Sequence, residues 1–145
     1  MFNVSIVIGI ISATVAQIIK VIVTLITEKQ FKWVTTGGMP SSHSAGVVAC
    51  ATSVGIIDGW DSSVFAVAVA LSVVVMYDAT GVRRAAGVHA EYLNVISQEL
   101  SHIFKKDGQE QKALKTLLGH TYLQVISGLT QGVLVSLLIH YYFLK

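Results

Sequence analysis

The sequence predicts an all-α integral membrane protein, a bundle of about four transmembrane helices with an amphipathic helix on its cytoplasmic side. Of its 145 residues, 53% are hydrophobic and 12% are charged, whereas soluble domains carry about 25% charged residues. The apolar residues fall into four long stretches separated by polar or glycine-rich segments. A single cysteine excludes a disulfide framework, and the net charge of +2 is too small to indicate a nucleic-acid partner.

Four stretches have the composition of membrane spans, which take about 20 apolar residues each. We place them at about 2–27, 44–57, 62–79 and 122–144. The first lacks a basic leading region and outruns a signal peptide, so we interpret it as a span. The second is short and rich in Ala, Gly and Val, which favours close helix packing. Residues 1–145 therefore form one membrane-embedded domain.

The segment between the third and fourth spans is mostly polar. Apolar residues recur at helical spacing from Ala85 to Ile103, which predicts an amphipathic helix. Residues 105–112 then read as an exposed loop. The stretch 113–118 predicts a second short helix that ends at Gly119.

The basic residues predict the orientation in the membrane. With four spans, the loops 28–43 and 80–121 lie on the same side, and they carry eight of the ten Lys and Arg residues. The positive-inside rule places that side in the cytoplasm and both termini on the opposite side. We expect an integral protein of a bacterial-type inner membrane or its equivalent.

The unusual polar groups all lie toward this basic side. Lys20 lies inside the first span, where a charge is costly and is by default a functional-site hypothesis; the alternative is a lysine whose stem reaches the interface. His120 precedes the fourth span, and Gln124 follows four residues later on the same helical face. The alternative for His120 is a structural histidine at the membrane interface.

The stretch "GGMPSSHSAG", residues 37–46, has the features of an anion-binding helix start. Its glycines allow backbone conformations closed to other residues, and its proline fits the first helical turn. Its serines can cap the helix, whose free N–H groups can hold an anion, and its histidine projects from the first turn. The residues concerned are Gly37, Gly38, Pro40, Ser41, Ser42 and His43. An ordinary capped helix start is the alternative.

The stretch "DATGVRRAAG", residues 78–87, contains the only two arginines of the chain, Arg83 and Arg84. Arginine suits phosphate because its planar fork donates two parallel hydrogen bonds. Asp78 is placed to orient one of them. The alternative is a basic cluster that contacts lipid headgroups.

Together these groups predict a phosphate-transfer site. Three cations and a helix N-terminus stabilise a phosphoryl group, while two histidines supply a nucleophile and a proton donor. The sequence has no cluster of carboxylates for Mg²⁺, so we expect metal-independent chemistry without a cofactor. The combination is typical of phosphomonoester or diphosphate hydrolysis through a phosphohistidine.

The motifs "GGMPSSHSA", "DATGVRRAAG" and "LGHT", together with "QIIK" at 17–20, resemble the divergent branch of the type 2 phosphatidic acid phosphatases. That branch is often labelled acid phosphatase/vanadium-dependent haloperoxidase related, and the resemblance covers essentially the whole chain. It implies that Lys20 and an arginine at 83 or 84 bind phosphate. It also implies that His43 protonates the leaving group, with Ser42 standing where the wider superfamily has glycine.

The resemblance leaves two histidines as candidates for the nucleophile. His89 follows Arg83 at the superfamily spacing, but Leu93 occupies the position of the aspartate that would orient it. His120 keeps a polar partner four residues on, Gln124, where divergent members often have glutamate. We favour His120. The neutral amide can fix the ring but cannot stabilise an imidazolium as a carboxylate would.

The position of the predicted site near the headgroup level implies an amphiphilic substrate such as a phosphatidate, a phosphatidylglycerophosphate or a prenyl diphosphate. Vanadate, which mimics pentacoordinate phosphorus, should inhibit its hydrolysis. The alternative is a non-catalytic membrane scaffold or transporter component that binds phospholipid or phosphate. A homodimer would cover the polar cleft of so small a chain.

Overall fold

The protein is described by a computed structural model that covers residues 3–28, 38–100, 113–116 and 118–144. Within these ranges it forms five helices and no strand, which confirms the all-α prediction. The helices are α1 (Val4–Glu28), α2 (Ser42–Asp58), α3 (Ser63–Thr80), α4 (Val82–Glu99) and α5 (Tyr122–Phe143). The predicted loop at 105–112 and Gly37 lie outside the described residues.

Three stretches of the described chain are long and apolar enough to cross a membrane. They are Val4–Ile26, the joined stretch Ser63–Glu99 and Tyr122–Phe143. Large aliphatic side chains on these helices are exposed, among them Ile10, Val67 and Leu134, as expected where a helix faces lipid. A helical membrane bundle is confirmed. The second predicted span corresponds to α2, whose 17 residues extend about 26 Å.

Helix α2 lies at the centre of the bundle and packs on α1, α3 and α5. Small residues bring the backbones together, because a Cβ on Gly132 of α5 would lie 2.6 Å from the carbonyl oxygen of Ala45. On the other side of α2, a Cβ on Gly46 would lie 3.2 Å from Cβ of Ala13 in α1. The close packing predicted from the Ala- and Gly-rich sequence of α2 is therefore confirmed.

Contacts at the two ends of α2 give the direction of its neighbours. At its start, the Ser41 N–H donates to the Gln124 carbonyl oxygen at 3.0 Å, so α5 begins beside it. Near its end, the Ser53 hydroxyl lies 3.0 Å from His140 Nε2 and 2.9 Å from the Ser5 hydroxyl. Helix α1 thus runs antiparallel to α2, whereas α5 runs parallel to it. The starts of α2 and α5 therefore meet the end of α1.

Helix α4 follows α3 after a break at Gly81. It matches the predicted amphipathic helix over its described length. Its buried residues are the small Gly87 and Ala90, while Tyr92 and Ile96 on the opposite face are exposed. The large apolar face points away from the bundle and suits the membrane interface.

The prediction of a short helix at 113–118 is wrong for residues 113–116, which are not helical. The Asn94 side-chain amide donates to the Leu114 carbonyl oxygen at 2.9 Å and accepts from the Leu114 N–H at 2.8 Å, so it satisfies groups that a helix would have paired. A Cβ on Gly87 would lie 2.6 Å from the Thr116 carbonyl oxygen. Residues 113–116 and 118–120, the return segment, thus run back along α4 toward the end of α3.

Candidate functional site

A cavity of about 670 Å³ opens at the end of the bundle where α1 and α3 end and α2 and α5 begin. Its polar lining contains most of the groups singled out in the sequence. These are Gln17, Lys20, Ser42, His43, Asp78, Arg83 and His120. An apolar wall of Val47, Val74, Val75, Ala79 and Leu118 completes the lining with Gly119.

Lys20 is enclosed by the protein. Only 2% of its surface is exposed, although it lies in the longest apolar helix. Gly38, at φ +98°, packs against its stem, since a Cβ there would lie 3.4 Å from Lys20 Cγ. The Lys20 side chain therefore lines the cavity. It is too enclosed to be a lysine that reaches the membrane interface.

The first turn of α2 presents backbone donors to the cavity. Ser41 is the N-cap, and its hydroxyl accepts from the Ser44 N–H at 3.4 Å and from the Ser44 hydroxyl at 3.0 Å. The Ala45 N–H bonds to the Ser41 carbonyl oxygen. Among the described residues, the N–H groups of Ser42 and His43 have no acceptor. A helix N-terminus in this state favours an anion.

Ser41 caps α2 as predicted but does not line the cavity, whereas Pro40 lies outside the first helical turn, where it was predicted. Ser41 is fully buried, and its N–H donates to the Gln124 carbonyl oxygen. It therefore stabilises the start of α2 and does not line the cavity. Pro40 precedes the N-cap and is therefore outside the first helical turn. The reason is that the capping hydroxyl of Ser41 sets the start of the helix two residues beyond the proline.

His120 is fixed by its backbone and by its ring. Its N–H donates to the Ala79 carbonyl oxygen at 2.9 Å, which joins the return segment to the end of α3. Its Nδ1 lies 3.3 Å from Gln124 Oε1, which also accepts the Thr121 N–H at 3.0 Å. Because an amide oxygen only accepts, this network assigns the hydrogen to Nδ1. The lone pair of His120 is therefore on Nε2.

The surroundings of His120 keep its ring neutral at pH 7. Burial is the largest cause that lowers its pKa below the ordinary value of 6.5, and the charge of Lys20 lowers the pKa further. The hydrogen bond with Gln124 raises the pKa, whereas His43 and Arg83 add to the lowering. A neutral imidazole with its lone pair on Nε2 has the form required of a nucleophile.

Gly119 allows the return segment to reach this position. Its φ is +83°, a conformation that favours glycine. A Cβ there would lie 2.5 Å from the backbone nitrogen of Arg84. The chain therefore passes directly over the first turn of α4, which places His120 beside the residues of α3.

Arg83 and Asp78 form an ion pair at the rim of the cavity, as Asp78 was predicted to do with one arginine. The Arg83 side chain is 61% exposed and that of Asp78 is 36% exposed, so this pair adds little stability. Asp78 is the one carboxylate among the described lining residues. Its effect is to aim the guanidinium at the cavity mouth.

Arg84 and His89 are exposed on α4 and are absent from the described lining. They lie on other faces of the helix than Arg83, because successive residues turn by about 100°. The geometry thus brings His120 to the cavity and leaves His89 outside it. Gly37 lies outside the described residues.

Gln17 lines the cavity, but the sequence reasoning gave it no role. It lies three residues before Lys20, on the same face of α1. A polar side chain in an apolar span, at helical spacing from a lysine, was the signal that could have identified it. In the described ranges, no three His, Cys, Asp or Glu side chains come together as a metal site.

Comparison with known proteins extends over most of the chain. A family model described as "Divergent PAP2 family" matches residues 1–135, which include every lining residue of the cavity. The "Uncharacterized membrane protein YuiD" of Bacillus subtilis (strain 168) is 40% identical over 140 residues, with 89% of each chain covered. No solved structure matches the chain. The relative and the apolar helices agree that this is a membrane protein.

Proposed function

Because this chain belongs to the divergent PAP2 family, we propose that it hydrolyses a lipid phosphate or prenyl diphosphate through a phosphohistidine, without a metal ion. One observation carries the proposal. A buried, neutral histidine that carries its lone pair on Nε2 lines a cavity whose described lining also includes a buried lysine, an arginine and a second histidine.

In the first step, His120 Nε2 attacks phosphorus and forms a P–N bond. The P–O bond to the lipid breaks, and the leaving oxygen takes a proton from His43. Lys20, Arg83 and the free N–H groups of Ser42 and His43 balance the charge on the phosphoryl oxygens. Fixed cations and N–H donors of this kind stabilise the negative charge that develops on the phosphoryl oxygens in the transition state.

In the second step, a water molecule attacks the phosphohistidine. His43, now neutral, accepts a proton from this water while the P–N bond breaks. Inorganic phosphate leaves, and both histidines return to their starting states. General acid or base catalysis by a positioned histidine typically increases the rate of a step by about 10²–10⁴-fold.

A non-catalytic phosphate- or phospholipid-binding protein is the second candidate. Gln124 favours it, because an amide stands where a carboxylate would stabilise the imidazolium. The same cavity would then hold the phosphate group without turnover. The two candidates differ in hydrolysis and in the effect of vanadate, which mimics pentacoordinate phosphorus and should inhibit only an enzyme.

The test is phosphate release from a panel of lipid phosphates by the purified protein in detergent with EDTA. We expect His120→Ala to abolish turnover and His43→Ala to lower it by about 10²–10⁴-fold. His89→Ala is the matched control and should retain full activity, since that ring is outside the cavity. An absolute requirement for added Mg²⁺, or full activity of the double His43→Ala, His120→Ala variant, would contradict the proposal.

A further inference from the structure

We infer that the groove between α1 and α2 binds the hydrocarbon chain of the lipid phosphate, with His43 at the junction of chain and phosphate. The inference rests on the proposed function and names the part of the substrate that this surface takes. The groove has a volume of about 590 Å³. Its deeper part is lined by Ile6, Gly9, Ile10, Ala13, Gly46 and Cys50.

The groove lies beside the polar cavity and shares part of its lining. Four residues line both, namely Gln17, Ser42, His43 and Val47. Three charged or titratable residues line the cavity and not the groove, namely Lys20, Arg83 and His120. A molecule that occupies both spaces would therefore have its anionic end among the cations and its apolar end between the two helices.

Small residues form the floor of the groove. A Cβ on Gly9 would lie 3.0 Å from the Gly46 carbonyl oxygen and 3.2 Å from Cys50 Cβ, so the two backbones are nearly in contact. The neighbouring Ile6 and Ile10 are 57% and 62% exposed and form its side. The Thr14 hydroxyl also lines the groove, but its hydrogen is already donated to the Ile10 carbonyl oxygen at 2.8 Å. The surface is chemically suited to methylene groups.

The groove is about as long as one lipid chain. Between Ile6 and Gln17 the helical rise of 1.5 Å per residue gives about 17 Å. The hydrocarbon core of a bilayer is about 30 Å thick, so the chains of one leaflet occupy about 15 Å. Ile6 lies two residues after the start of α1, so a chain that starts at the cavity would run along α1 toward the opposite end of the bundle.

The reaction chemistry places the chain on this side. In phosphoryl transfer, the attacking and leaving atoms lie roughly in line on opposite sides of phosphorus. The lipid oxygen is the leaving atom, so it must point away from His120 and toward the acid, His43. The groove is the apolar surface that begins at His43, which distinguishes it from the lipid-facing surface elsewhere on the bundle.

Cys50 provides a direct test, since it is the only cysteine of the chain and lines the deep part of the groove. The protein is placed in phosphatidylcholine nanodiscs, and the rate of Cys50 alkylation by N-ethylmaleimide is measured. Dodecyl phosphate should slow alkylation several-fold, whereas butyl phosphate and inorganic phosphate should not. Dodecanol, which lacks the anion, should protect less than dodecyl phosphate. Cys50→Ser gives the unlabelled baseline.

A second measurement fills the groove. Cys50→Phe should shift the preferred substrate, or the preferred protecting alkyl phosphate in competition assays, toward shorter chains. Ile57→Phe is the matched control, because Ile57 is an exposed residue of α2 outside the groove, and it should leave the chain-length preference unchanged.

The outcomes separate this inference from the proposed function. If dodecyl phosphate protects Cys50 but no lipid phosphate is hydrolysed, the groove is supported and the hydrolytic function fails. If lipid phosphates are hydrolysed but alkylation is insensitive to chain length, the groove assignment is overturned and the hydrolytic function stands. Equal protection by dodecanol and dodecyl phosphate would also overturn it, since ordinary bilayer lipid would then fill the groove.

Discussion

Gln124 illustrates how one side-chain atom can serve both the fold and the proposed reaction. Its Oε1 accepts the Thr121 N–H at 3.0 Å as part of a capping box that starts α5. The same oxygen lies 3.3 Å from His120 Nδ1 and fixes the ring. Because the amide carries no charge, it orients the neutral ring without compensating a positive one. Burial is the largest cause that lowers the pKa of His120 below its ordinary value, and the hydrogen bond with Gln124 offsets only part of this effect.

The lowered pKa has a consequence for the pH dependence of activity. Attack requires neutral His120, so on the acid side the rate should fall as pH drops through this pKa. The acid limb of kcat/KM should therefore lie below pH 6.5, the ordinary value for histidine. In Gln124→Glu, the carboxylate favours the protonated ring, so the limb should move upward by about one pH unit or more.

The measurement is a pH profile of kcat/KM for both proteins with a soluble phosphate ester. Gln98→Glu is the matched control, because it adds the same charge on an exposed position of α4. Its profile should coincide with that of the unmodified protein. Coincident acid limbs for Gln124→Glu and the unmodified protein would show that this contact does not set the pKa.

At the scale of elements, α4 holds the return segment that carries His120. The contacts run along the helix from Asn94, which pairs with Leu114, to Gly87 and then to the first turn beside Gly119. These contacts are polar or involve backbone, so they fix a position without burying large side chains. The helix therefore acts as a template for the segment.

Asn94→Ala should loosen the return segment. The change removes both hydrogen bonds to Leu114, each worth about 0.5–1.5 kcal/mol. We expect faster amide hydrogen exchange at Leu114 and a lower kcat. Glu91→Ala, an exposed change on the same helix, should leave both unchanged. Unaltered exchange at Leu114 in Asn94→Ala would show that α4 does not hold this segment.

The contact of α5 with α2 depends on glycines that admit another backbone. In Gly128→Ala, the new Cβ would lie 2.4 Å from the Ser41 carbonyl oxygen, so the helices must separate. Overpacking of this kind costs about 1–3 kcal/mol. We expect a lower Tm in detergent and lower phosphatase activity, because Ser41 also caps the helix that bears His43.

Thr130→Ala is the matched control for this substitution. Thr130 is exposed on α5, so the change introduces the same residue without a contact to α2. It should leave Tm and activity nearly unchanged. Equal Tm values for Gly128→Ala and the unmodified protein would mean that the helices can move apart without loss.

At the scale of the whole molecule, the cavity and the turn between α2 and α3 lie at opposite ends of the bundle. Arg83, Arg84 and Lys115 belong to the cavity end, whereas Asp58 is the last residue of α2 and Asp61 follows in the turn. We propose that the cavity faces the cytoplasm, because basic segments are retained there. Both termini would then lie on the opposite side.

The orientation can be tested with two single-cysteine proteins in a Cys50→Ser background. In intact cells, a membrane-impermeant maleimide should label Asp61→Cys but not Lys115→Cys, since both positions are exposed and lie at opposite ends. Permeabilised cells should show labelling of both and serve as the control. The reverse pattern in intact cells would invert the proposed topology.

Composition and periodicity alone predict the helical class, the positions of the long apolar helices and most polar groups of the cavity. These are local properties, because a helix is set by composition and periodicity and a lysine within a span is conspicuous wherever the chain folds. Lys20, His43 and Asp78 were recognised in this way, as was the pair Arg83 and Arg84. The spacing of His120 and Gln124 was also sufficient to predict their contact.

Which of two similar residues reaches the cavity depends on how distant parts of the chain pack together. Arg83 and Arg84 are adjacent, and both His89 and His120 are near basic segments. The local sequence pattern therefore distinguishes the members of each pair only weakly. The choice depends on contacts between distant parts of the chain, such as His120 with Ala79 and Leu114 with Asn94. The same contacts replaced the predicted helix at 113–116. Pairings of this kind arise from packing, which no local periodicity encodes.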